Sequence, residues 1–259
     1  MSEYGLSQSQ QIKTTPQKNL MELITPQPSK RYLLIGGTGT GKSTLANVML
    51  LNWKTKNPKS ILIILDSKPR WRGELNINHL SAKSMYRGMT HGETFPDSMV
   101  VSDAKEFDIA WKQYRKRYTI IVQNDLDMDL HGYVANYVYT ASKREKTPIL
   151  VYVDETMDHF QPSTQPRSKT FGYAFTRICR SGRELGIAAI FASQRTKSIP
   201  VSIVEEMSEL FLFRLDFEED LKRLKEMGVT GDIPKPNGHK FYIFKRENRK
   251  WSNPITLKI

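Results

Sequence analysis

Six short runs of mainly apolar residues mark the chain: Tyr32–Ile35, Ile61–Leu65, Tyr118–Val122, Ile149–Val153, Ile187–Ala192 and Leu210–Leu215. Each has strand length and few polar interruptions, the pattern of strands in a parallel sheet covered on both faces. Stretches of helical spacing fall between them. Leu45–Trp53 repeats Leu45, Val48, Met49 and Trp53; Ala104–Lys116 and His131–Lys143 follow; Thr170–Leu185 is stopped by Gly186, and Phe217–Met227 by Gly228. Strands alternating with helices predict an α/β fold, a mostly parallel central sheet with helices on both faces. His239–Lys245 and Trp251–Lys258 read as two antiparallel strands around the charged turn Arg246–Lys250, a C-terminal antiparallel extension. Residues 67–98, with Gly73, Gly88, Gly92 and Pro96, read as irregular surface excursions. The first 29 residues are polar, rich in Ser, Gln and Thr, and read as a flexible N-terminal arm with one helical turn at Leu20–Ile24. Residues 30–259 then form one domain.

Composition narrows the partners. Lys and Arg total 39 against 27 Asp and Glu, a formal net charge of +12. Such an excess favours a polyanion, nucleic acid or an anionic membrane surface. No apolar run approaches the ~20 residues that span a bilayer. The first residues lack the basic and then apolar regions of a signal peptide. Cys179 is the single cysteine, so neither an intrachain disulfide nor a cysteine-based zinc site is available. The expected setting is a reducing cytoplasm.

The chemistry concentrates after the first strand, in G-G-T-G-T-G-K-S-T, Gly36–Thr44. Gly36, Gly41, Lys42 and Ser43 satisfy the P-loop pattern G-x-x-x-x-G-K-[ST]. Glycines let the backbone curl with its N–H groups inward around phosphates, and Gly36, Gly37, Thr38, Gly39, Thr40 and Gly41 supply that nest. Lys42 reaches the outer phosphates, the Ser43 hydroxyl ligates Mg²⁺, and Thr44 opens a helix whose positive dipole end faces the anion. The chain is therefore expected to bind a nucleoside triphosphate.

Two further strand ends fit hydrolysis. Ile149–Val153 ends in Asp154-Glu155, an apolar strand with an acidic end, the Walker B arrangement. Asp154 would hold Mg²⁺ beside Ser43, and Glu155 would polarise the attacking water. Arg177, Arg180 and Arg183 recur every three residues, placing them on one side of a helix. Gln194 ends the strand that follows, where an amide can sense the terminal phosphate or orient water. An arginine at the nearby surface could reach a neighbouring subunit's nucleotide, a contribution on the order of 10³–10⁵ in rate.

Taken in order, G-G-T-G-T-G-K-S-T, I-L-V-Y-V-D-E, R-S-G-R-E-L-G-I and I-F-A-S-Q-R resemble the FtsK/HerA group of P-loop motor ATPases. I-L-I-I-L-D-S-K resembles that group's second strand, with Ser67 where a proline is common. The resemblance covers about residues 30–215. It implies a three-layer P-loop NTPase of the RecA/ASCE type, ATP and Mg²⁺ as cofactors, and a homo-oligomeric ring, usually a hexamer, around double-stranded DNA. By position it makes Lys42, Ser43 and the P-loop glycines nucleotide-binding and Asp154 metal-binding. Glu155 corresponds to the catalytic base, Gln194 to the sensor, and Arg183 to the finger offered to the next subunit, with Arg180 as runner-up. The short chain, without a barrel, membrane segment or winged helix, most resembles the genome-packaging ATPases of membrane-containing viruses. A capsid vertex or viral membrane protein would then be a partner, and the host cytoplasm or the virion the location.

For DNA contacts the sequence offers Arg167 and Lys169 in the loop Met157–Lys169, and also Lys68, Arg70 and Arg72. Lys112, Arg115, Lys116 and Arg117 read as a solvated helix end. The competing functions are a nucleotide-dependent assembly ATPase acting on protein, as in filamentous-phage assembly, and a conjugation or plasmid-transfer motor. A small-molecule kinase is disfavoured by Glu155 and Gln194, and an ABC-type ATPase by the missing L-S-G-G-Q stretch.

Overall fold

The computed structural model describes residues 17–66, 98–123, 128–156, 166–197 and 199–256. Its strands are β1 (Arg31–Ile35), β2 (Ile61–Asp66), β3 (Ser98–Val101), β4 (Thr119–Gln123), β5 (Ile149–Val153), β6 (Ile187–Ser193), β7 (Glu209–Leu212), β8 (Lys240–Lys245), β9 (Lys250–Trp251) and β10 (Ile255–Thr256). The helices are α1 (Gln17–Ile24), α2 (Lys42–Lys56), α3 (Ala104–Tyr114), α4 (Met128–Ser142), α5 (Pro166–Ser181), α6 (Val201–Glu205) and α7 (Glu218–Glu226).

The strands form one sheet in the order β10-β8-β7-β1-β6-β5-β2-β4-β3, with β9 on β8. From β7 to β3 every pairing is parallel; β8, β9 and β10 add the expected antiparallel extension. Strand β6 lies between β1 and β5, pairing Leu33 with Phe191 and Val151 with Ala189.

Both sheet faces are buried, which is why the strands read as continuous apolar runs. Successive side chains alternate between two cores. Leu33, Ile35, Val151 and Val153 pack with Phe107 of α3, Val134 and Val138 of α4, Phe175 and Ile178 of α5, and Leu224 of α7. Tyr32, Leu34, Leu150 and Tyr152 pack on the opposite face with Leu45, Met49 and Trp53 of α2 and with Ile24 of α1. The result is three layers.

Several boundaries differ from the sequence reading. Strand β3 occupies the sheet edge, although Ser98 was assigned to an irregular stretch; S-M-V-V is too short to announce itself. The final strand splits into β9 and β10, and the five-residue α6 was not anticipated. Helix α5 starts at Pro166, where a proline at the first helical position costs no hydrogen bond. Arg167 and Lys169 therefore stand in its first turn rather than in a loop. The same helix ends at Ser181, short of Leu185, and Gly182–Gly186 is a turn in which the Ile187 N–H donates to the Gly182 carbonyl at 2.9 Å. At the start of the chain, the helical turn expected at Leu20–Ile24 extends over Gln17–Ile24 and buries Ile24.

Candidate active site at the carboxyl edge of the sheet

The glycine-rich loop leaves β1 between two strands that grip its backbone. The Gly36 N–H donates to the Ser193 carbonyl of β6 at 3.2 Å, and the Gly37 N–H to the Arg214 carbonyl beyond β7 at 2.7 Å. Gly36 is required by closeness: a Cβ there would lie 2.4 Å from Cβ of Phe213. Within the loop, Thr40 Oγ1 donates to the Gly37 carbonyl at 2.8 Å. Lys42 folds back over the loop entrance, donating from Nζ to the carbonyls of Gly36 and Gly37.

Gly41 caps α2 at φ +100°, and no side chain caps that helix. A helix first turn without an N-cap side chain is a place where backbone N–H groups can meet an anion. Ser43 and Thr44 sit in this turn, half-buried.

The acidic pair follows β5, two strands away. Asp154 is 4% exposed; its N–H donates to the Leu65 carbonyl at 3.0 Å, and the Tyr152 hydroxyl donates to its Oδ1 at 3.1 Å. Glu155 adopts φ +49°, a left-handed conformation that costs a non-glycine residue about 1 kcal/mol or more. That backbone twist turns its carboxylate toward β6. There Gln194 Nε2 donates to Glu155 Oε2 at 2.7 Å, and the Gln194 N–H donates to Oε1 at 3.4 Å. Gln194 Oε1 in turn accepts from Thr38 Oγ1 at 3.0 Å. One amide thus bridges the phosphate loop and the second carboxylate, because β6 separates β1 from β5.

Ser43 offers a hydroxyl and Asp154 a carboxylate, hard oxygen donors at the same sheet edge. Two such protein ligands suit Mg²⁺, which completes its shell with water and substrate phosphates rather than with a protein cage.

The three arginines do not share one helix face. Arg177 is committed to α4, donating from Nη1 to Asn136 Oδ1 at 3.2 Å with its guanidinium 4.2 Å from the Tyr139 ring centre. Arg180 is exposed in the last turn of α5, and Arg183 is exposed in the turn beyond it. Arg183 precedes β6 whereas Gln194 follows it. With seven residues in that strand, they lie roughly 20 Å apart, so Arg183 does not serve the site of its own chain. Arg115 and Lys116, read as a solvated helix end, pair with Glu145 at 3.1 and 3.2 Å. Lys68, Arg70 and Arg72 lie outside the described residues.

Sequence reasoning gave no role to the segment after β7. Arg195 donates from Nε to Asp220 Oδ2 at 2.6 Å and lies 3.9 Å over the Phe217 ring. Asp220 is separated from Arg195 by 25 residues along the chain, and no local pattern sets it apart from the exposed acids Glu218 and Glu219.

No protein-family model matches the chain, and no curated protein sequence matches it. Solved structures share its fold. The DNA-packaging ATPase B204 from Sulfolobus turreted icosahedral virus superposes with a TM-score of 0.64 at 15% identity, covering 90% of this chain and all of that one. The genome-packaging NTPase B204 from Sulfolobus turreted icosahedral virus 2, in complex with ATP-gammaS, gives 0.62 at 15% identity over 89% and 98% of the two chains. The pCW3 conjugation coupling protein TcpA gives 0.53 at 13% identity, over 85% of this chain and 58% of that one. These neighbours share the α/β fold, with its mostly parallel central sheet, that the sequence pattern predicts.

Proposed function

We propose that the chain is a Mg²⁺-dependent ATPase that assembles into a ring and moves double-stranded DNA, packaging a viral genome. The bridge Thr38–Gln194–Glu155 carries this reading, because it joins a phosphate-binding loop to a carboxylate fit to activate water. Similar structures described as a DNA-packaging ATPase and a conjugation coupling protein support the choice of cargo, as does the net charge of +12.

In this mechanism the loop N–H groups and the α2 first turn receive the phosphates. Lys42 exchanges the Gly36 and Gly37 carbonyls for phosphate oxygens. Ser43 and Asp154 would hold Mg²⁺, whose charge would offset that developing on the phosphoryl oxygens. Glu155 takes a proton from the attacking water, and Gln194, reaching both loop and carboxylate, orients that water and registers the terminal phosphate. Arg183 enters the site of the adjacent subunit. Arg167 and Lys169 contribute to the DNA-facing surface; backbone-only contacts would make binding indifferent to sequence and steeply salt-dependent.

The test is ATP hydrolysis with and without long double-stranded DNA across a salt series, beside Lys42→Ala. Stimulation that fades with salt and disappears in the variant is expected. Hydrolysis indifferent to DNA would overturn the translocase and favour an assembly ATPase acting on protein.

A further inference from the structure

We propose that Asp220 is a positioning residue for hydrolysis: through Arg195 and Thr196 it fixes the carboxyl end of β6, and with it the Gln194 side chain between Thr38 and Glu155. This rests on the ATPase reading of the same site.

Helix α7 opens with three acids in a row, Glu218, Glu219 and Asp220. The first two are exposed, while Asp220 is 1% exposed. A carboxylate in a first helical turn is favoured by the dipole, but solvent would serve it as well. Burial is costly unless the charge is paired and hydrogen-bonded. Asp220 meets that condition through the two residues that follow Gln194. Oδ2 accepts from Arg195 Nε at 2.6 Å; Oδ1 accepts from the Thr196 N–H at 2.8 Å and from Thr196 Oγ1 at 2.7 Å. Thr196 Oγ1 is also 3.3 Å from the Asp220 carbonyl, and Thr196 is fully buried. Phe217 closes the cluster by stacking on the Arg195 guanidinium.

The other end of this segment touches the phosphate loop. Arg214 accepts from the Gly37 N–H at 2.7 Å, and Phe213 lies against Gly36. Residues Phe213–Asp220 therefore hold the loop and the sensor strand in one frame. The Asp220 carboxylate grips the Thr196 backbone N–H, two residues after the amide that spans the site, and the Arg195 side chain between them. A displacement of about 1 Å in such an amide can cost on the order of a hundredfold in rate.

The experiment compares Asp220→Asn and Arg195→Gln, each alone and combined with Gln194→Ala. The readouts are kcat and KM for ATP, and the Gln194 side-chain amide resonance in ¹⁵N-glutamine-labelled protein, assigned by its loss in Gln194→Ala. Each single variant is expected to lower kcat about tenfold with KM changed less than about twofold, and to move that resonance. In the Gln194→Ala background the same changes should cost less than about a further twofold, because the group they place is already gone. Equal losses in both backgrounds, or an unmoved resonance, would overturn the proposal. Should Asp220→Asn fail to fold, Arg195→Gln, at a partly exposed residue, carries the same comparison. A wild-type protein without hydrolysis would sink the ATPase reading instead, while the amide resonance still decides whether Asp220 places Gln194.

Discussion

The two edges of the sheet carry similar charged groups put to opposite uses. At the amino edge Lys30 Nζ lies 3.7 Å from Glu209, and Arg31, only 5% exposed, pairs with Glu206 at 3.6 Å while its Nη1 donates to the Ser29 carbonyl. Those charges are closed on their neighbours. At the carboxyl edge Lys42 rests on two loop carbonyls, Glu155 on an amide, and the α2 N-terminus on no side-chain cap. Strand direction explains the asymmetry. In a parallel sheet the carboxyl ends gather helix N-termini with their unpaired N–H groups and positive dipole ends, so that edge is the one that can receive phosphates. The amino edge gathers the opposite helix ends, and its exposed turn carries Arg183.

The sharpest way to break this contrast is at Glu155. Glu155→Gln should reduce kcat by about 10²–10⁴-fold while nucleotide binding persists, measured by steady-state hydrolysis and by equilibrium titration with a non-hydrolysable analogue. Loss of binding instead would make Glu155 part of the nucleotide pocket rather than a base.

At the amino edge the effect should have the opposite sign and concern stability. Burial is the main cause raising the Glu209 carboxyl above its ordinary 4.5, with Lys30 and Lys245 opposing it, and Oε2 has no hydrogen-bond partner among the described residues. A raised carboxyl penalises folding as pH climbs past 4.5. Glu209→Gln should therefore raise Tm at pH 7, as read by thermal unfolding across a pH series. Wild type and variant should converge below pH 4.5, and a lowered Tm at pH 7 would refute the assignment.

A smaller effect is expected at Glu145, on neither edge's ligand surface. Burial pushes its carboxyl up, but hydrogen bonds from Thr147, Lys116 and Arg115 outweigh that and hold it at about 2. Its contribution to stability is complete above the ordinary 4.5 and is lost as pH falls through about 2. In acid unfolding, Arg115→Gln should flatten that part of the curve by a fraction of the pair's modest worth, since both partners are near the surface.

How much of this was legible in the sequence depended on how local each cause is. Strands β1, β2, β5 and β6 announced themselves because double-sided burial leaves no polar alternation to obscure them. Gly36–Thr44 and Asp154-Glu155 stand out in the sequence because each motif is a contiguous stretch. Gln194 was legible as the polar end of an apolar strand, though its two partners emerged only when β6 was seen between β1 and β5. Arg183 was placed on a helix because a repeat of three continues in sequence past the point where the Gly182 carbonyl takes up the Ile187 N–H and the helix has ended. Arg167 and Lys169 were placed in a loop because Pro166 looks like a breaker, whereas at the first helical position it starts α5. Asp220 was invisible: its meaning comes from α7 packing beside β6, and nothing in F-E-E-D distinguishes the buried acid from the exposed ones.

The contrast between edges also underlies the central proposal, that the open edge of one subunit would be completed by the Arg183 turn at the closed edge of the next. Mixing Glu155→Gln with Arg183→Ala subunits tests it directly. Each variant alone should be inactive, and the mixture should regain hydrolysis, because an interface that draws Glu155 from one subunit and Arg183 from the other is intact. An Arg183→Ala protein that hydrolyses ATP at the wild-type rate, or a mixture as inactive as its components, would contradict a shared site.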